Sequence, residues 1–428
     1  MTTAPVTEKH RVDATIKVVR EAPVLEWSDD EGAHRCPVNV ATIAGSAEQS
    51  QLRIADRRVS RSHASLEVRD GALWVRDLGS LNGSFVNGIR VIEAEVPASA
   101  TLQLGPVLLQ LGTAERREVE LWPSNRLGAL VGQSVVMREL FARIASYAQS
   151  KAAVLVRGET GTGKELVARA LHERSGRTGR FVVVDCGAMP EALLEAELFG
   201  HSRGAFTGAH ASREGAVAAA EEGTLFLDEI GELPPLMQPK LLRLLEEGTV
   251  KKVGENEYRR FDVRIVSATH RDLPSMLAAG TFREDLYYRL GVLPLDVPPL
   301  RARLDDLELL LGELMPGTPI DAATLTVLKA QRWRGNVREA RTFAQRAALI
   351  GLTDACALLA RPNARAGELP KVESNVPYKE ERERWLSHLE REYLKELMQK
   401  HDGNITRIAE AARLDRSYVH RLIKKHEL

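Results

Sequence analysis

The sequence predicts a multidomain protein: an all-β sandwich, then an α/β phosphate-binding domain with a helical lid, then an all-α helix-turn-helix. Three observations predict this order. Apolar and polar residues alternate in the first quarter of the chain, a glycine-rich loop later joins a strand to a helix, and helical periodicity marks the carboxyl-terminal end. The 428 residues are enough for about three domains.

Composition limits the possible classes of protein. The formal net charge is zero, so any nucleic-acid surface must be a local patch. Cys36, Cys186 and Cys356 lie far apart, which argues against a zinc site or a disulfide framework. Residues 1–13 lack the apolar core of a signal peptide, and no apolar run approaches the ~20 residues of a membrane span. We expect a soluble, cytoplasmic protein without a membrane partner.

Residues 1–113 are predicted to form the sandwich. Alternating stretches at 66–69 and 72–75 flank the turn Asp70-Gly71, and apolar runs at 102–104 and 107–111 flank Gly105-Pro106. Loop positions carry Ser60-Arg61-Ser62-His63 and Asn82-Gly83, whose side chains are suited to holding a phosphate by charge-assisted hydrogen bonds. An equally simple interpretation of Asn82-Gly83 and Asn87-Gly88 is two hairpin turns.

This spacing resembles the forkhead-associated (FHA) domain, a reader of phosphothreonine. The resemblance implies that a phosphothreonine protein binds here, through Ser60, Arg61, His63 and Asn82. Two positions depart from the family: Ser46 replaces the arginine that follows a glycine, and Leu81 replaces a threonine. Because Ser46 removes a bidentate phosphate partner, we expect the domain either to sense a phosphorylated partner weakly or to read an unphosphorylated surface.

Residues 114–127 are charged and contain Trp122-Pro123, so they are predicted to be a linker with at most a short strand at 119–121. The next domain, at 128–355, opens with the apolar strand 153–156 and a glycine-rich loop. Backbone N–H groups of such a loop converge on phosphate oxygens at a helix amino terminus. The predicted nucleotide ligands in the loop are Gly158, Glu159, Thr160, Gly161, Thr162, Gly163 and Lys164. Glu165 stands where a generic loop of this kind has the Ser or Thr that binds magnesium.

A second apolar strand at 224–227 ends in two acids. Asp228 is placed to hold Mg²⁺, and Glu229 to polarise the water that attacks ATP; solvated acids at a strand end are the alternative. Thr269 ends a third strand and looks like the sensor I residue, which lies near the γ-phosphate in AAA+ ATPases. Asp185 closes the strand 181–184, and its position resembles the one where such ATPases carry an Asn or Asp that restrains the catalytic glutamate.

Between the loop and the acidic strand, Glu197-Leu198-Phe199-Gly200-His201 precedes a six-residue GAFTGA string. This combination resembles the sigma-54-dependent transcription activators, whose GAFTGA loop contacts the sigma factor. The resemblance implies contacts with sigma-54 RNA polymerase through Gly204, Ala205, Phe206, Thr207, Gly208 and Ala209. A flexible surface loop is what these residues alone would indicate.

Arg283 and Arg289 lie in a string that resembles the FRxDLxxRL of the same family. There, such arginines reach the ATP of a neighbouring subunit, which implies a homo-oligomer that passes from dimer to hexameric ring. Alone, both arginines are typical of surface ion pairs. The predicted lid, about 299–355, ends in Trp333-Arg334-Gly335-Asn336-Val337-Arg338-Glu339, which resembles WPGNVREL and places Arg338 at the nucleotide phosphates, the position known as sensor II. The architecture implied is an AAA+ P-loop ATPase.

After a predicted linker at 356–378, residues 379–428 show apolar helical periodicity interrupted by the turn Arg413-Leu414-Asp415. From Gly403 onward, six Lys and Arg face three Asp and Glu. A small dimerising bundle is the alternative to a DNA-binding module. The segment resembles the Fis-type helix-turn-helix of the same activators, which implies enhancer DNA as partner. The expected DNA contacts are Arg416, Ser417, Tyr418, Arg421, Lys424 and Lys425.

Together these features predict an ATP- and Mg²⁺-dependent activator that opens sigma-54 promoters under control of an FHA-like domain. Two other functions stay open. One is a generic AAA+ remodelling ATPase, against which the intact GAFTGA string argues. The other is a DNA-binding phosphoreader with a vestigial ATPase, against which the complete nucleotide motifs argue.

Overall fold

The structure is a computed structural model that describes residues 7–12, 15–38, 42–69, 71–205, 211–360, 378–401, 404–412 and 414–426. The chain divides into two compact units, Met1–Leu352 and Thr353–Leu428. Within the described ranges, no helix has the length and apolar character needed to cross a membrane.

The first part of the larger unit is a sandwich of two sheets, as predicted. One sheet has the strand order β1-β2-β12-β11-β8-β9, with β3 also paired to β2, and the other has the order β10-β7-β6-β4-β5. The strands are β1 Thr7–Val12, β2 Thr15–Asp29, β3 Gly32–Pro37, β4 Thr42–Gly45, β5 Leu52–Arg53, β6 Ala64–Arg69, β7 Ala72–Asp77, β8 Ser84–Val86, β9 Ile89–Val91, β10 Glu93–Val96, β11 Thr101–Leu104 and β12 Val107–Leu121.

The inward positions of both sheets form one apolar core, in which Leu25, Leu66 and Leu102 are fully buried. Asn87-Gly88 joins β8 to β9 with both residues at positive φ, as a two-residue hairpin requires. The simple-turn interpretation is therefore confirmed for this pair. Gly45 ends β4 so close to a loop that a Cβ there would lie 1.9 Å from the Arg61 carbonyl oxygen. Only glycine fits that position.

The predicted linker at 114–127 is wrong over its first half. Strand β12 continues to Leu121, and its far end pairs antiparallel with the start of β2. Complementary charges explain why a polar stretch forms a strand: Lys17 pairs with Glu118 and Arg116 with Glu21, each at 3.0 Å. Cross-strand ion pairs of this kind support a ladder that lacks a continuous apolar face.

The second part of the larger unit is built on a parallel sheet in the order β16-β19-β22-β15-β23. The strands of that sheet are β15 Val154–Arg157, β16 Phe181–Asp185, β19 Thr224–Asp228, β22 Arg264–Thr269 and β23 Leu293–Asp296. Three separate strand pairs are β13 Arg126–Leu127 with β14 Leu130–Val131, β17 Gly200–His201 with β18 Arg213–Glu214, and β20 Thr249–Val250 with β21 Arg259–Arg260. The carboxyl ends of β15, β16, β19 and β22 therefore meet at one edge, where ligands of open α/β sheets bind.

Helices cover this sheet and then form the lid. They are α1 Val135–Ala148, α2 Lys164–Glu173, α3 Glu191–Phe199, α4 Ala216–Ala219, α5 Gln238–Glu247, α6 Leu273–Ala278, α7 Glu284–Leu290, α8 Leu307–Leu314, α9 Ala322–Lys329 and α10 Asn336–Ile350. The next helix, α11 Leu352–Ala360, belongs to the second unit from Thr353 onward. The Asp306 carboxylate accepts hydrogen bonds of 2.6 Å from the backbone N–H groups of Gln133 and Ser134, which ties the start of the lid to α1.

Helix α11 extends to Ala360, so the linker predicted at 356–378 does not begin at 356; residues 361–377 lie outside the described residues. The second unit contains α12 Tyr378–Lys400, α13 Ile405–Ala412 and α14 Arg416–His426. Leu394, Ile408 and Val419, one from each helix, meet in its apolar core. The Asn404 side chain accepts from the backbone N–H groups of Thr406 and Arg407 and so caps α13.

Candidate nucleotide-binding site

The loop between β15 and α2 has a backbone that only glycine permits at two positions. Gly161 has φ +80° and Gly163 has φ +104°. A Cβ on Gly161 would lie 2.4 Å from the carbonyl oxygen of Gly335 in the lid. The glycines of the predicted loop thus allow both the left-handed turns and the close approach of the lid.

Lys164 opens α2 with its side chain only 7% exposed. Its ammonium donates to the carbonyl oxygen of Gly158 at 3.0 Å and lies 3.7 Å from a carboxylate oxygen of Glu229. Thr162, also buried, donates through its hydroxyl to the Glu159 carbonyl at 2.8 Å. A buried cation at a helix amino terminus, held mainly by its own loop, provides a positive site for an anionic ligand.

The two acids after β19 differ in their surroundings. Burial raises the pKa of Asp228, and the neighbouring charge of Glu229 acts in the same direction. Glu229 has φ +49°, an uncommon conformation for a side chain of its size. Its carboxylate lies 2.7 Å from Nδ1 of His270. His270 directly follows the predicted sensor residue, and its contact with Glu229 was missed from the sequence.

Thr269 is fully buried, and its carbonyl oxygen accepts from the Gly158 N–H at 3.2 Å. The structure therefore brings the sensor position and the glycine-rich loop together. Asp185 pairs in register with Asp228, but its carboxylate accepts from the Gly187 N–H at 2.9 Å. The predicted restraint of the catalytic glutamate by Asp185 is not what this structure contains, because Asp185 closes its own turn and His270 bonds to Glu229.

The lid reaches the loop through a residue that the sequence analysis did not single out. Asn336 is fully buried and donates to a Glu159 carboxylate oxygen and to the Thr160 carbonyl, each at 3.1 Å. Arg301 binds both Glu159 carboxylate oxygens, at 2.6 and 2.8 Å, and these bonds lower the pKa of Glu159. The Glu159 side chain thus joins the loop to the lid. The sequence feature that could have pointed to this contact was the position of Asn336 inside the lid motif.

Arg338, the predicted lid contact to nucleotide, lies beside the loop. Its backbone N–H donates to the Gly161 carbonyl at 3.3 Å. Arg303 was not predicted; it is buried and donates to the Thr162 carbonyl at 3.1 Å. Burial lowers the pKa of Arg303.

The predicted arginine fingers lie at the two ends of α7. Arg283 binds both carboxylate oxygens of Asp285, at 3.0 and 2.7 Å, and Arg289 binds Glu246 at 3.1 Å. Both side chains are about half exposed. In the single chain they therefore make the surface ion pairs that the residues alone indicated, while staying accessible to another subunit.

The GAFTGA segment lies in an insertion that begins and ends at the paired strands β17 and β18. Gly204 has φ +82°, and the Ala205 N–H donates to the Ser202 carbonyl at 3.3 Å. The remaining predicted contact residues, Phe206, Thr207, Gly208 and Ala209, lie outside the described residues.

The predicted phosphopeptide residues of the sandwich have different roles. His63 is fully buried, accepts the Ser60 N–H and contacts the Gly83 carbonyl, so the expectation that it contacts a peptide is wrong. The Ser60 hydroxyl accepts from the Leu81 N–H, and the Asn82 amide donates to the Arg58 carbonyl at 2.6 Å. These residues hold the loops together. Arg61 is 71% exposed and contacts Glu284.

In the second unit, the predicted DNA contacts are all exposed on α14. The Arg421 guanidinium lies 5.5 Å from the centre of the Tyr418 ring, and Ser417 hydrogen-bonds to Asp415. Lys425 differs from Lys424 because its ammonium binds Glu390 at 2.8 Å within the same unit.

Known proteins share two of the predicted domain types. Residues 130–296 match the model of the sigma-54 interaction domain, and residues 42–105 match that of the FHA domain. Regulatory protein AtoC of Escherichia coli K12 is 42% identical over 301 residues, covering 66% of this chain and 64% of AtoC. Transcriptional regulatory protein GlrR of the same organism is 40% identical over 319 residues, covering 70% of this chain and 68% of GlrR.

The chain thus spans roughly two thirds of the length of these relatives. Among solved structures, NtrX from Brucella abortus in complex with ATP has a TM-score of 0.53 and 34% identity, with 71% of each chain covered. The predicted family is confirmed, and so are the predicted FHA and AAA+ domain types. The chain belongs to the sigma-54-dependent transcription activators, with an FHA domain preceding an AAA+ sigma-54 interaction domain.

Proposed function

We propose that this protein hydrolyses ATP to convert sigma-54 RNA polymerase from the closed to the open promoter complex. The observation that carries the proposal is the convergence of Lys164, Glu229 and Thr269 at one edge of the parallel sheet, in the same domain as the paired strands β17 and β18 that flank the GAFTGA insertion. A single domain then holds both the nucleotide chemistry and the loop that contacts the sigma factor.

The residues at this edge fit a magnesium nucleotide. The loop leaves no room for side chains at Gly158 and Gly161, so its backbone could approach a phosphate closely, and Lys164 would supply positive charge. Asp228 is the residue expected to hold Mg²⁺, which would neutralise charge on the phosphates. Glu229 would orient and deprotonate water, Thr269 would hydrogen-bond at the γ-phosphate, and Arg338 would contact the phosphates from the lid.

The hydrogen bond to His270 defines a state of Glu229 that differs from the one in which Glu229 would bind the attacking water. While Glu229 accepts from His270, one of its carboxylate oxygens is occupied and less available to water. We propose that hydrolysis begins when this hydrogen bond breaks. Arg283 and Arg289 would complete the site of a neighbouring subunit, so the active form is a ring and the resting form a smaller oligomer.

Residues 379–428 are proposed to bind enhancer DNA through α14. Lys424 and Lys425 are neighbours on α14 that differ in one respect: among the described residues, Lys425 makes an ion pair and Lys424 makes none. Substituting each in turn therefore compares a free lysine with a paired one. Lys424→Ala should lower the slope of log affinity against log salt by about one, as expected for a lost phosphate contact. Lys425→Ala should change the slope less; equal changes would contradict the assignment.

The experiment that tests the proposal uses Thr207→Ala in the full chain. We expect ATP hydrolysis to persist while open-complex formation at a sigma-54 promoter is lost. Thr326→Ala is the matched control, because that hydroxyl is exposed on lid helix α9 and bonds only along its own helix. Unchanged open-complex formation in Thr207→Ala would leave a generic remodelling ATPase as the better description. Absence of ATP hydrolysis in the unaltered protein at every concentration would favour a vestigial ATPase.

A further inference from the structure

The FHA loops that are predicted to read phosphate rest on α7, the helix that directly follows Arg283 and contains Arg289, the two predicted arginine fingers. The Ser62 hydroxyl donates to one Glu284 carboxylate oxygen at 3.1 Å, and the Arg61 guanidinium lies 3.2 Å from the other. One turn further along α7, the Tyr288 hydroxyl lies 3.1 Å from the Ser50 hydroxyl. Three FHA loop residues thus contact one face of the helix.

The Glu284 carboxylate resembles a phosphate group in the contacts that it makes with this domain. Its two carboxylate oxygens accept from a guanidinium and a hydroxyl, which are the groups by which Arg61 and a neighbouring serine would hold a phosphoryl group. The Glu284 side chain is only 24% exposed, whereas that of Arg61 is 71% exposed. A phosphorylated peptide therefore has access to Arg61 but competes with Glu284 for it.

Apolar packing extends the contact beyond the ion pair. Ile43 and Leu78 of the sandwich are buried in the same apolar cluster as Leu286, Tyr287 and Leu290 of α7. A single exposed ion pair contributes little to stability, so the apolar contacts provide most of the free energy that holds the FHA domain on α7. The ion pair makes this docking sensitive to changes in charge.

The same domain also lies beside the candidate nucleotide site. Arg76 binds Asp272, three residues beyond Thr269. A cavity of about 730 Å³ is bounded on one side by Glu67, Arg69 and Arg76 of the sandwich and reaches Gly158 and Thr269 on the other. Strands β6 and β7 would therefore hinder a neighbouring subunit that approached the site from this side.

We propose that the finger helix is an intramolecular ligand of the FHA domain, and that this docking holds the ATPase unassembled until a phosphothreonine peptide displaces Glu284 from Arg61. The proposal rests on the proposed function for the consequence of release, but the docking itself is a property of this chain alone. Its partner is defined by chemistry: a phosphorylated threonine segment able to outcompete one carboxylate at Arg61.

The test compares full-length variants by sedimentation velocity across a range of protein concentrations. Arg61→Glu places two carboxylates together and should shift assembly to concentrations at least about fivefold lower. Glu284→Gln removes one charge and should shift it about two- to fivefold. The double variant Arg61→Glu/Glu284→Arg restores opposite charges and should return assembly toward the unaltered protein. Arg57→Glu makes the same charge change at an exposed position four residues away and is the control.

Binding of a randomised phosphothreonine peptide library, with its unphosphorylated twin, completes the test. The phosphorylated library should bind Glu284→Gln more tightly than the unaltered protein and should promote assembly of the latter. Single variants that assemble like the Arg57→Glu control, or a double variant that does not recover, would overturn the docking. Recovery in the double variant without any preference for phosphorylated peptide would overturn the competition by phosphothreonine.

These outcomes are separable from failure of the proposed function, because sedimentation and peptide binding do not require ATP hydrolysis. A chain that shows the charge-swap pattern but never hydrolyses ATP would keep the docking and lose the ATPase assignment. A chain that hydrolyses ATP and opens promoters without the charge-swap pattern would do the reverse.

Discussion

The two regions of this chain that are predicted to bind phosphate are built in opposite ways. In the nucleotide site, backbone geometry at Gly161 and a lysine that is 7% exposed define the place for the ligand. In the FHA domain, Ser60 and Asn82 serve the loops themselves, and the remaining cation, Arg61, is 71% exposed. A site made by backbone is fixed by the fold, whereas a site made by one exposed side chain can be shared with a competing carboxylate.

The largest effect is expected where the ligand site is fixed. Glu229→Gln should lower ATP turnover by about 10²–10⁴-fold, because it removes the proposed general base while keeping the shape of the side chain. Nucleotide binding should persist, since Lys164 and the glycine-rich loop are unchanged. Phosphate release under saturating ATP measures the first, and equilibrium nucleotide binding measures the second.

Glu195→Gln is the matched control for this change. Its carboxylate pairs with Lys240 on the surface of the same domain, so turnover should stay within about threefold of the unaltered protein. A fall of similar size in both variants, or an unimpaired Glu229→Gln, would remove Glu229 from the catalytic role. In that event the contrast between the nucleotide site and the FHA domain would no longer hold, because neither would have a residue with a demonstrated role.

A medium effect should come from a place where the FHA domain depends on close backbone contact. Gly45→Ala would place a Cβ 1.9 Å from the Arg61 carbonyl oxygen, so the loop carrying Arg61 must move. We expect the sandwich to lose about 1–3 kcal/mol of stability, the usual range for overpacking. Thermal unfolding of the full chain, followed by a probe of β-structure, measures the loss.

Gly112→Ala is the control that shows whether the stability loss in Gly45→Ala comes from the close backbone contact at that position or from replacing any strand glycine. There the nearest obstacle is the carboxylate end of Glu26, an exposed side chain that can rotate away. Its melting temperature should match or exceed that of the unaltered protein. If Gly45→Ala melts like Gly112→Ala, the close approach of β4 and the Arg61 loop is not needed in solution.

The sequence indicated how the parts of the candidate nucleotide site would come together, because each part has a local signal and the sheet topology determines where each part lies. A parallel sheet brings the ends of β15, β19 and β22 together, so Lys164, Asp228 and Thr269 had to meet. The Asn336 and Glu159 contact has no such signal, because it depends on how the lid closes over the loop. The contact of Glu229 with His270 likewise depends on side-chain choice at a strand end.

The FHA domain was predicted as a fold more securely than as a site, for the same physical reason. Alternation and turn residues specify the sheets, but the pairing of Lys17 with Glu118 that extends β12 joins residues about a hundred positions apart. The contact between Arg61 and Glu284 joins two domains. In neither contact does the local sequence of one residue indicate its partner. The charged stretch was therefore predicted to be a linker, and Arg61 was predicted to be available for a phosphopeptide.

The smallest effect concerns two buried carboxylates whose pKa values move in opposite directions. Burial alone would raise the pKa of Asp29, but hydrogen bonds from the Ala55 and Glu31 N–H groups, His34 and Trp27 lower it to about 2. Asp228 has fewer donors, and burial raises its pKa. The first carboxylate is satisfied by its own domain, as in a structural role, whereas the second is the one assigned to bind a cation.

Asp29→Asn therefore tests the structural role through its pH dependence. Because the folded pKa of Asp29 lies below its unfolded value of about 3.8, its charge stabilises the folded state above pH 4, and that contribution is lost as the pH falls toward 2. The stability difference between the unaltered protein and Asp29→Asn should be largest near pH 5–6 and shrink on acidification. Asp30→Asn, altered at the exposed neighbouring position, should show no such trend. A difference independent of pH would mean that the hydrogen bonds are made equally well without the charge, and the contrast with Asp228 would then rest on burial alone.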